Sequence, residues 1–252
     1  MAYANTFKRR EMKFLLTEEQ YNAVLERISG FMTEDEFGLH TIMNIYLDNR
    51  NNDLIRRSLG KPIYKEKVRL RCYGTKAEDD VKAYLEIKKK YRGITYKRRF
   101  SSPYKELHSY VTEGTPPEKR GQIFEELDYL IKRMRLRPKI VICYDRRAFY
   151  GNDDKEFRLT MDGNIRYRRT DLDLRSGDSG TYLSTQPFRV MEVKSVGAIP
   201  MELVRILSEL KIYHGSFSKY GSIFAGEIKA ATHNKYRPVS EKAPVRGALA
   251  AN

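Results

Sequence analysis

The stretch Tyr84–Phe100, YLEIKKKYRGITYKRRF, decides the fold that the sequence predicts. Its two runs of β-branched, aromatic and charged residues flank Arg92-Gly93, and this arrangement predicts two strands joined by a tight turn. Alternate side chains of a strand share one face, so the hairpin has an apolar face, with Leu85 and Ile87, and a charged face. The residues predicted on the charged face are Glu86, Lys88 and Lys90 in the first strand and Lys97 and Arg99 in the second.

The same alternation of charged and apolar residues recurs in other predicted strands. Tyr64–Tyr73 has the sequence YKEKVRLRCY, in which basic residues alternate with valine, leucine and cysteine. Phe7–Leu16, Ile140–Tyr150 and Phe188–Val196 behave similarly, and Thr41–Asp48 is also strand-like. A flat sheet with helices on its apolar face would produce this pattern. A closed antiparallel barrel with helices outside and charges pointing inward would produce it equally well.

Predicted helices and loops separate these strands. Thr17 and Gln20 form a capping-box pattern at the start of a first helix that ends near Gly30. The other helices are predicted from Asn52 to Leu59, from Ser102-Pro103 onward, from Glu118 to Met134, from Pro200 to Leu210, and for a short stretch after Ser218. Asp162-Gly163-Asn164 has turn chemistry and predicts a hairpin between residues 157–162 and 165–169. Residues 171–185, rich in Gly, Ser, Thr and Asp, predict a mobile loop.

The composition is that of a basic globular protein. Of the 252 residues, 40% are hydrophobic, which is sufficient for a core. Lys and Arg number 48 against 33 Asp and Glu, and the formal net charge of +15 predicts an anionic partner: nucleic acid, a phosphorylated small molecule or polymer, or an acidic membrane surface. The Pro, Lys, Arg and Ala of residues 234–252 predict a disordered basic tail, which leaves residues 1–233 as the folded domain.

The cysteine pattern and the hydropathy predict a cytoplasmic protein. Cys72 and Cys143 lie in separate strand-like runs without CxxC spacing, so we expect two buried structural thiols in a reducing compartment. No apolar run approaches the ~20 residues that span a bilayer, and the N-terminus lacks the apolar core of a signal peptide.

Cations crowded on one face of a sheet repel one another unless a polyanion neutralises them. We therefore expect lysine pKa values on such a face to be lowered when it is empty and to recover when phosphates bind. Arginine suits phosphate because its forked donors match the phosphate oxygens. Acids among the cations are candidates for holding magnesium or manganese together with substrate phosphates. Those acids are Glu11, Glu86, Asp162 and Glu192.

Eight short motifs occur in an order that resembles a known family. They are Glu11-Met12-Lys13, Arg69-Leu70-Arg71, Glu86-Ile87-Lys88, Lys97-Arg98-Arg99, Tyr144-Asp145-Arg146, Arg158-Leu159-Thr160-Met161-Asp162, Glu192-Val193-Lys194 and Ser218-Lys219-Tyr220. This series resembles the VTC domain, the polyphosphate polymerase branch of the triphosphate tunnel metalloenzymes, over Phe7–Phe224. The resemblance implies an α+β fold in which a closed antiparallel β-barrel, the triphosphate tunnel, carries helices on its outside, with residues 1–233 as the catalytic domain. It also implies transfer of the γ-phosphoryl group of ATP to a growing inorganic polyphosphate chain, with Mn²⁺ or Mg²⁺ as cofactor.

The resemblance also assigns roles to individual residues. The catalytic residues would be Arg69, Arg71, Lys88, Arg146, Arg158 and Lys219. The phosphate-binding residues would be Lys13, Arg69, Arg71, Lys88, Lys97, Arg146, Arg158, Lys194 and Lys219. Glu192 would be the main metal ligand, with Glu11 as a helper. The cations that we expect to be merely solvated are Lys90, Arg98 and Arg147.

One departure from the wider superfamily bears on the reaction. Hydrolytic relatives usually begin with a Glu-x-Glu-x-Lys pattern, whereas this chain has Arg9 in place of the first glutamate, which favours a polymerase and leaves the number of metal ions open. Two alternatives remain: a hydrolase of tripolyphosphate or nucleoside triphosphates on the same tunnel, and a nucleic-acid-binding module that uses the net charge and the tyrosines. The expected partners are ATP and inorganic polyphosphate, with an unidentified membrane protein as a further candidate. Nucleic acid is disfavoured because specific acids accompany the cations.

Overall fold

The computed structural model describes residues 10–60, 62–92 and 94–235, with side chains described up to Lys229. This part of the chain forms one antiparallel sheet and six α-helices. The strands are β1 Arg10–Leu16, β2 Met32–Glu34, β3 His40–Asp48, β4 Tyr64–Tyr73, β5 Lys82–Tyr91, β6 Ile94–Pro103, β7 Arg137–Gly151, β8 Arg158–Arg168, β9 Thr181–Tyr182, β10 Arg189–Ser195 and β11 His214–Gly215. The helices are α1 Glu18–Ile28, α2 Asp53–Leu59, α3 Tyr104–Glu113, α4 Gln122–Met134, α5 Met201–Glu209 and α6 Lys219–Lys235.

The sheet is a single hydrogen-bonded path of strands. Its order is β11-β1-β10-β8-β7-β3-β4-β5-β6, while β2 pairs with β7 and β9 pairs with β8. The hairpin predicted from YLEIKKKYRGITYKRRF is confirmed as β5 and β6, although Gly93 of its turn lies outside the described residues. Within the described part of the chain, β6 pairs with β5 alone. The path therefore does not close, and the closed barrel that the sequence predicts is not confirmed.

The sheet is nevertheless strongly curved. Lys88 Nζ on β5 lies 2.8 Å from Glu11 Oε2 on β1, although five strands separate β5 from β1 in the sheet order. Flat strands spaced ~4.8 Å apart would hold these two strands roughly 29 Å apart. The charged face of the sheet must therefore be concave, and the apolar face convex.

Four helices cover the convex face. Helices α1 and α5 bury Val24 and Leu203 against Met191, and α3 and α4 bury residues such as Leu107 against the strands β3, β4, β5 and β7. The capping box predicted at the start of α1 is confirmed, because Thr17 and Gln20 exchange both hydrogen bonds. Helices on the apolar face were common to both predicted architectures.

Both cysteines lie in the convex core, as the sequence predicts. Cys72 and Cys143 are buried, unpaired thiols. Burial raises the pKa of Cys72 to about 12 and the pKa of Cys143 to about 11. Protonated thiols in an apolar core are inert, so these residues serve packing.

The helix α6 covers one end of the concave face. Its Tyr220, Ile223 and Phe224 pack against residues of β3 and β7, including Ile42 and Ile142. As a result, β3 is buried on both faces over most of its length. The short helical stretch predicted after Ser218 is therefore longer than expected. It passes residue 233, the predicted end of the domain, and residues 236–252 of the predicted tail lie outside the described residues.

The predicted hairpin at Asp162-Gly163-Asn164 is wrong, because β8 runs through these residues as one strand. Between Asp145↔Gly163 and Cys143↔Arg166 the pairing advances two residues on β7 and three on β8. One extra residue in β8 therefore forms a β-bulge, and Asn164 there has a positive φ of 49°. The extra residue reverses the alternation, so Asp162 and, beyond the bulge, Ile165 both point to the concave side.

The loop predicted to be mobile, residues 171–185, is held by hydrogen bonds. It contains a 3-10 turn at Leu174–Ser176 and the strand β9. Arg168 donates to the carbonyl oxygens of Asp171, Gly177 and Ser179 at 2.8–2.9 Å. The arginine replaces the backbone pairing that a regular strand would have supplied, so the loop is ordered.

Smaller differences concern helix ends. Asn52 makes no side-chain cap at α2; instead, Asp48 accepts hydrogen bonds from the backbone N–H groups of Leu54 and Ile55 at 3.0 Å. The fourth helix begins at Gln122 rather than at Glu118. Residues 7–9 of the first predicted strand lie outside the described residues.

Candidate functional site

The polar side chains that alternate along the strands meet on what we call the charged concave face. Its residues come from β1, β4, β5, β6, β7, β8, β10 and the start of α6. They are Glu11, Lys13, Lys67, Arg69, Arg71, Glu86, Lys88, Lys97, Arg146, Asp162, Glu192, Lys194 and Lys219. The face is therefore basic, with four acids set among the cations.

Glu86 is the centre of a first group of cations. Its carboxylate lies 2.8 Å from Arg69 Nη2 and 2.6 Å from Lys97 Nζ, with Arg71 Nε at 3.8 Å. Burial alone would raise the pKa of Glu86, but the charges of Arg69, Arg71 and Lys97 hold it well below its usual range. With its side chain only 1% exposed, Glu86 orients cations and is poorly placed to bind a metal ion.

Asp162 is the centre of a second group. Arg146 donates to both of its oxygens, at 2.6 and 2.8 Å, and Lys219 of α6 donates at 2.5 Å. Burial opposes ionisation, yet Arg146 and Lys219 hold the pKa of Asp162 well below its usual range. Asp162, like Glu86, is therefore an ion-pair centre and not the free metal candidate that the sequence suggested.

We expect Asp162→Asn to lower the free energy of unfolding by about 3–5 kcal/mol, because it leaves Arg146 and Lys219 partly buried without their counter-charge. Urea unfolding measures this loss. The matched control is Glu34→Gln, which removes the bidentate partner of Arg147 where both side chains are about 30% exposed, so about 0–1 kcal/mol is expected. Equal losses in the two variants would contradict the assignment of Asp162 as a buried ion-pair centre.

Two residues that the sequence did not single out, Asn44 and Tyr46, orient the arginines together with Tyr144, which belongs to one of the eight motifs. Arg69 Nη1 donates to Tyr46 OH at 3.1 Å, whereas Arg71 donates to Asn44 Oδ1 at 2.9 Å and to Tyr144 OH at 3.2 Å. The two-residue spacing of Asn44 and Tyr46 on β3 was the available signal. These bonds fix both guanidinium planes before any ligand binds.

Burial, with a smaller contribution from neighbouring cations, lowers lysine pKa values on the charged concave face, in the direction that the sequence predicts. Burial lowers the pKa of Lys67 to about 8, and burial together with Arg71 and Arg69 lowers that of Lys97 to about 7. Burial would raise the pKa of the Tyr46 phenol, but Arg69, Lys67 and Lys219 lower it to about 8. Burial on this face thus favours loss of positive charge, and a bound polyanion would reverse this.

Glu192 differs from the two ion-pair centres. Its carboxylate lies 3.3 Å from Lys194 Nζ and 4.0 Å from Lys13 Nζ, and no hydrogen bond to it is present within residues 10–60, 62–92 and 94–235. Burial raises its pKa, but Lys194, Lys13 and Lys88 lower it to about 2. Glu192 is therefore ionised and partly uncommitted.

The donor set fits a magnesium-like ion rather than a metal cage made by the protein alone. No cluster of three or more His, Cys, Asp or Glu side chains with metal-binding geometry exists in the described part of the chain. Mg²⁺ is bound by one or two carboxylates, substrate phosphates and several waters. Glu192 would supply one such carboxylate, and Glu11 would supply a second only by exchanging its contact with Lys88.

The structure brings together nearly all of the residues that the resemblance assigned. Arg158 is the exception, because its side chain is exposed at the rim, opposite Lys194 in the register, and donates weakly to Lys155 O at 3.4 Å. Two of the cations expected to be solvated lie outside the face: Arg98 pairs with Glu126 and Arg147 with Glu34. Lys90 is exposed near the end of β5.

A curved antiparallel sheet with helices on its convex side and cations on its concave side defines a fold class with solved members. One is a Bacillus halodurans protein provisionally described as an adenylate cyclase, with a TM-score of 0.55 at 13% identity, covering 84% of this chain and 94% of that one. At this identity the likeness shows the fold alone.

The particular family follows from the sequence match. The model of the VTC domain matches residues 8–225, and the chain therefore belongs to the VTC domain family. The Schizosaccharomyces pombe protein named vacuolar transporter chaperone complex subunit 4 is 28% identical over 192 residues. That alignment covers 67% of this chain and 26% of the relative, so the chain spans about a quarter of the relative's length. Among the described residues, no helix combines the length and apolarity that crossing a bilayer requires.

Proposed function

We propose that this chain is a polyphosphate polymerase, which transfers the γ-phosphoryl group of ATP to a growing inorganic polyphosphate chain. The observation that supports this proposal most directly is the charged concave face. There, cations surround the ionised carboxylate of Glu192, which accepts no hydrogen bond from the described residues. Such a face suits a polyanion with a divalent ion. Membership of the VTC domain family supports the same reaction, and we propose that the concave face forms the wall of a closed tunnel.

Most of the roles follow from position on the charged concave face, whereas Arg158, exposed at its rim, keeps the role that the family resemblance implies. Phosphoryl transfer requires mainly positioning and neutralisation of charge on the phosphoryl oxygens. Arg69 and Arg71, held by Tyr46 and Asn44, present guanidinium groups to that charge. The remaining proposed catalytic cations are Lys88, Arg146, Arg158 and Lys219, and the remaining proposed phosphate-binding cations are Lys13, Lys97 and Lys194.

Glu192, with Glu11 as helper, would hold Mn²⁺ or Mg²⁺. When bound, the ion supplies charge neutralisation at the β- and γ-phosphates. Lys13 and Lys194 flank Glu192 and would turn toward phosphate oxygens once the carboxylate is occupied. Lys13 and Lys194 directly, and Glu192 through the ion, would then bind the same phosphate ligand.

The alternatives use the same residues differently. A hydrolase of tripolyphosphate or nucleoside triphosphates would need the same cations and ion but would pass the phosphoryl group to water. A nucleic-acid-binding module is disfavoured, because the ionised and partly uncommitted Glu192 would repel a phosphodiester backbone without contributing to its binding. We keep an unidentified membrane protein as a proposed partner and the cytoplasm as the proposed location.

A product assay tests the function. Purified protein is incubated with ATP and Mn²⁺, and the products are separated on a polyacrylamide gel. A ladder of long phosphate polymers supports the polymerase, whereas orthophosphate and short chains alone would establish the hydrolase. Failure to bind polyphosphate, together with salt-sensitive binding of DNA or RNA, would overturn both enzymes.

Binding of tripolyphosphate should take up protons at pH 8. The free protein holds the pKa of Lys97 near 7 and that of Lys67 near 8, so both lysines are partly neutral at this pH. Phosphates favour the charged forms, so the pKa values of both lysines rise on binding, and the contribution of these lysines to affinity falls as pH rises from 6 to 9. Calorimetry in two buffers of different ionisation enthalpy measures the uptake. The ligand's own change in protonation contributes equally to the wild type and to Lys97→Met, so the variant should take up fewer protons than the wild type. Equal uptake by the two proteins would refute the assignment of Lys97 to the binding site.

A further inference from the structure

Thr160 on β8 carries a buried hydroxyl that has no hydrogen-bond partner among the described residues. The residue is 7% exposed, and its Oγ1 finds no donor or acceptor in the part of the chain that the structure describes. A buried hydroxyl without a partner destabilises a protein, and such groups commonly mark a site that a ligand, ion or water completes.

The register places this hydroxyl beside the proposed metal ligand. Glu192 of β10 is directly opposite Thr160 on one side, and Ala148 of β7 is opposite it on the other. Directly opposed side chains share a face, with Cβ atoms about 4.5–5.5 Å apart. The alanine methyl group cannot hydrogen-bond and leaves room, while Lys13, opposite Glu192 on its far side, completes a row across four strands.

We infer that Thr160 is a positioning residue for the divalent ion, whose hydroxyl hydrogen-bonds a water molecule in the coordination shell of an ion held by Glu192. The inference rests on the proposed metal site. A magnesium-like ion keeps several waters when a protein supplies only one or two carboxylates, and those waters need oriented partners. Within the described residues the acids do not cluster in a metal cage, and a neutral hydroxyl is a suitable partner for such a water. Thr160 carries the neutral hydroxyl in the row of directly opposed residues that contains Glu192.

The test compares Thr160→Val, which keeps the shape and removes the hydroxyl, with Thr160→Ser, which keeps the hydroxyl. The probe is Mn²⁺ titrated against protein saturated with AMP-PNP, followed by the electron paramagnetic resonance signal of free Mn²⁺. Removing a partner in the outer shell typically weakens metal binding about 10–100-fold, so Thr160→Val should raise the half-saturating Mn²⁺ concentration by at least about tenfold. Thr160→Ser should restore wild-type binding.

Stability without metal gives a second readout. Because the hydroxyl has no partner within residues 10–60, 62–92 and 94–235, Thr160→Val should leave the melting temperature unchanged or raise it, by up to about 2–4 °C. The matched control is Thr41→Val, since Thr41 Oγ1 donates to Asp145 Oδ1 at 2.9 Å and lies outside the charged concave face. That variant should melt lower and bind Mn²⁺ normally.

Two outcomes overturn the inference: an unchanged Mn²⁺ affinity in Thr160→Val, or a melting temperature below wild type, which would show that the hydroxyl bonds a structural water. Glu192→Gln in the same titration separates this inference from the proposed function. Weaker Mn²⁺ binding in Glu192→Gln but not in Thr160→Val refutes Thr160 alone. Unchanged binding in both variants refutes the metal site itself.

Discussion

Glu192→Gln should abolish turnover while leaving polyphosphate affinity without metal unchanged or higher. The carboxylate faces Lys13 and Lys194 at 4.0 and 3.3 Å, and its own negative charge repels phosphate unless a cation lies between them. A bound ion contributes several kcal/mol of charge stabilisation in the transition state, so its loss corresponds to roughly 10³-fold or more in rate.

Polyphosphate affinity in a chelator and turnover across a Mn²⁺ titration measure the two effects. The control is Glu34→Gln, on the convex side, for which the Mn²⁺ optimum should not move. Melting temperature does not discriminate, because Gln weakens the contacts with Lys13 and Lys194 whether or not Glu192 binds metal. Near-normal turnover with an unshifted Mn²⁺ optimum would exclude Glu192 as the ligand.

The second large effect is expected for Arg69→Ala, with a turnover loss of about 10²–10³-fold, or ~3–4 kcal/mol, and a small change in stability. Arg69 donates to Glu86 and Tyr46 on the charged concave face. Without it, Glu86 keeps Lys97 at 2.6 Å, so the buried carboxylate is not left unpaired. A phosphoryl group, by contrast, loses a fixed donor.

Turnover normalised to active sites and the melting temperature together test this. Arg98→Ala, on β6 and on the convex side, should keep full turnover. Arg71 is a poorer test of chemistry, because it is 5% exposed and bonds both Asn44 and Tyr144, so its loss also damages the fold. Full turnover in Arg69→Ala would remove this arginine from the site.

The sequence predicted the charged face better than it predicted what the charges do. Two-residue alternation in β4 and β5 places Arg69 and Glu86 on one face without knowledge of partners. Their ion pair depends on the register between the strands, which local sequence does not specify. For that reason the sequence indicated Glu86 and Asp162 as candidates for binding a metal. In the structure, the carboxylates of both residues form ion pairs with the surrounding cations.

Two errors of fold have a similar origin. Asp162-Gly163-Asn164 carries residues that suit positive φ, and a bulge needs such residues as much as a hairpin turn does. In the sequence, the only indication that α6 packs on the concave side is the apolar run Ile140–Cys143. Such a run is typical of a strand that is buried on both faces. The length of β8 and its alternation of residues do not by themselves distinguish a hairpin from one continuous strand with a bulge.

The bulge in β8 lets one strand serve two environments. Before it, even-numbered positions such as Thr160 and Asp162 point inward; after it, odd-numbered positions such as Ile165 and Tyr167 do, where they meet α6. Without the extra residue the parity would persist, and Arg166 would be directed into the apolar seat of α6. The extra residue at the exposed Asn164 therefore separates the charged end of the concave face from the apolar end that α6 covers. This position should tolerate exchange of its side chain far better than a change in the number of residues.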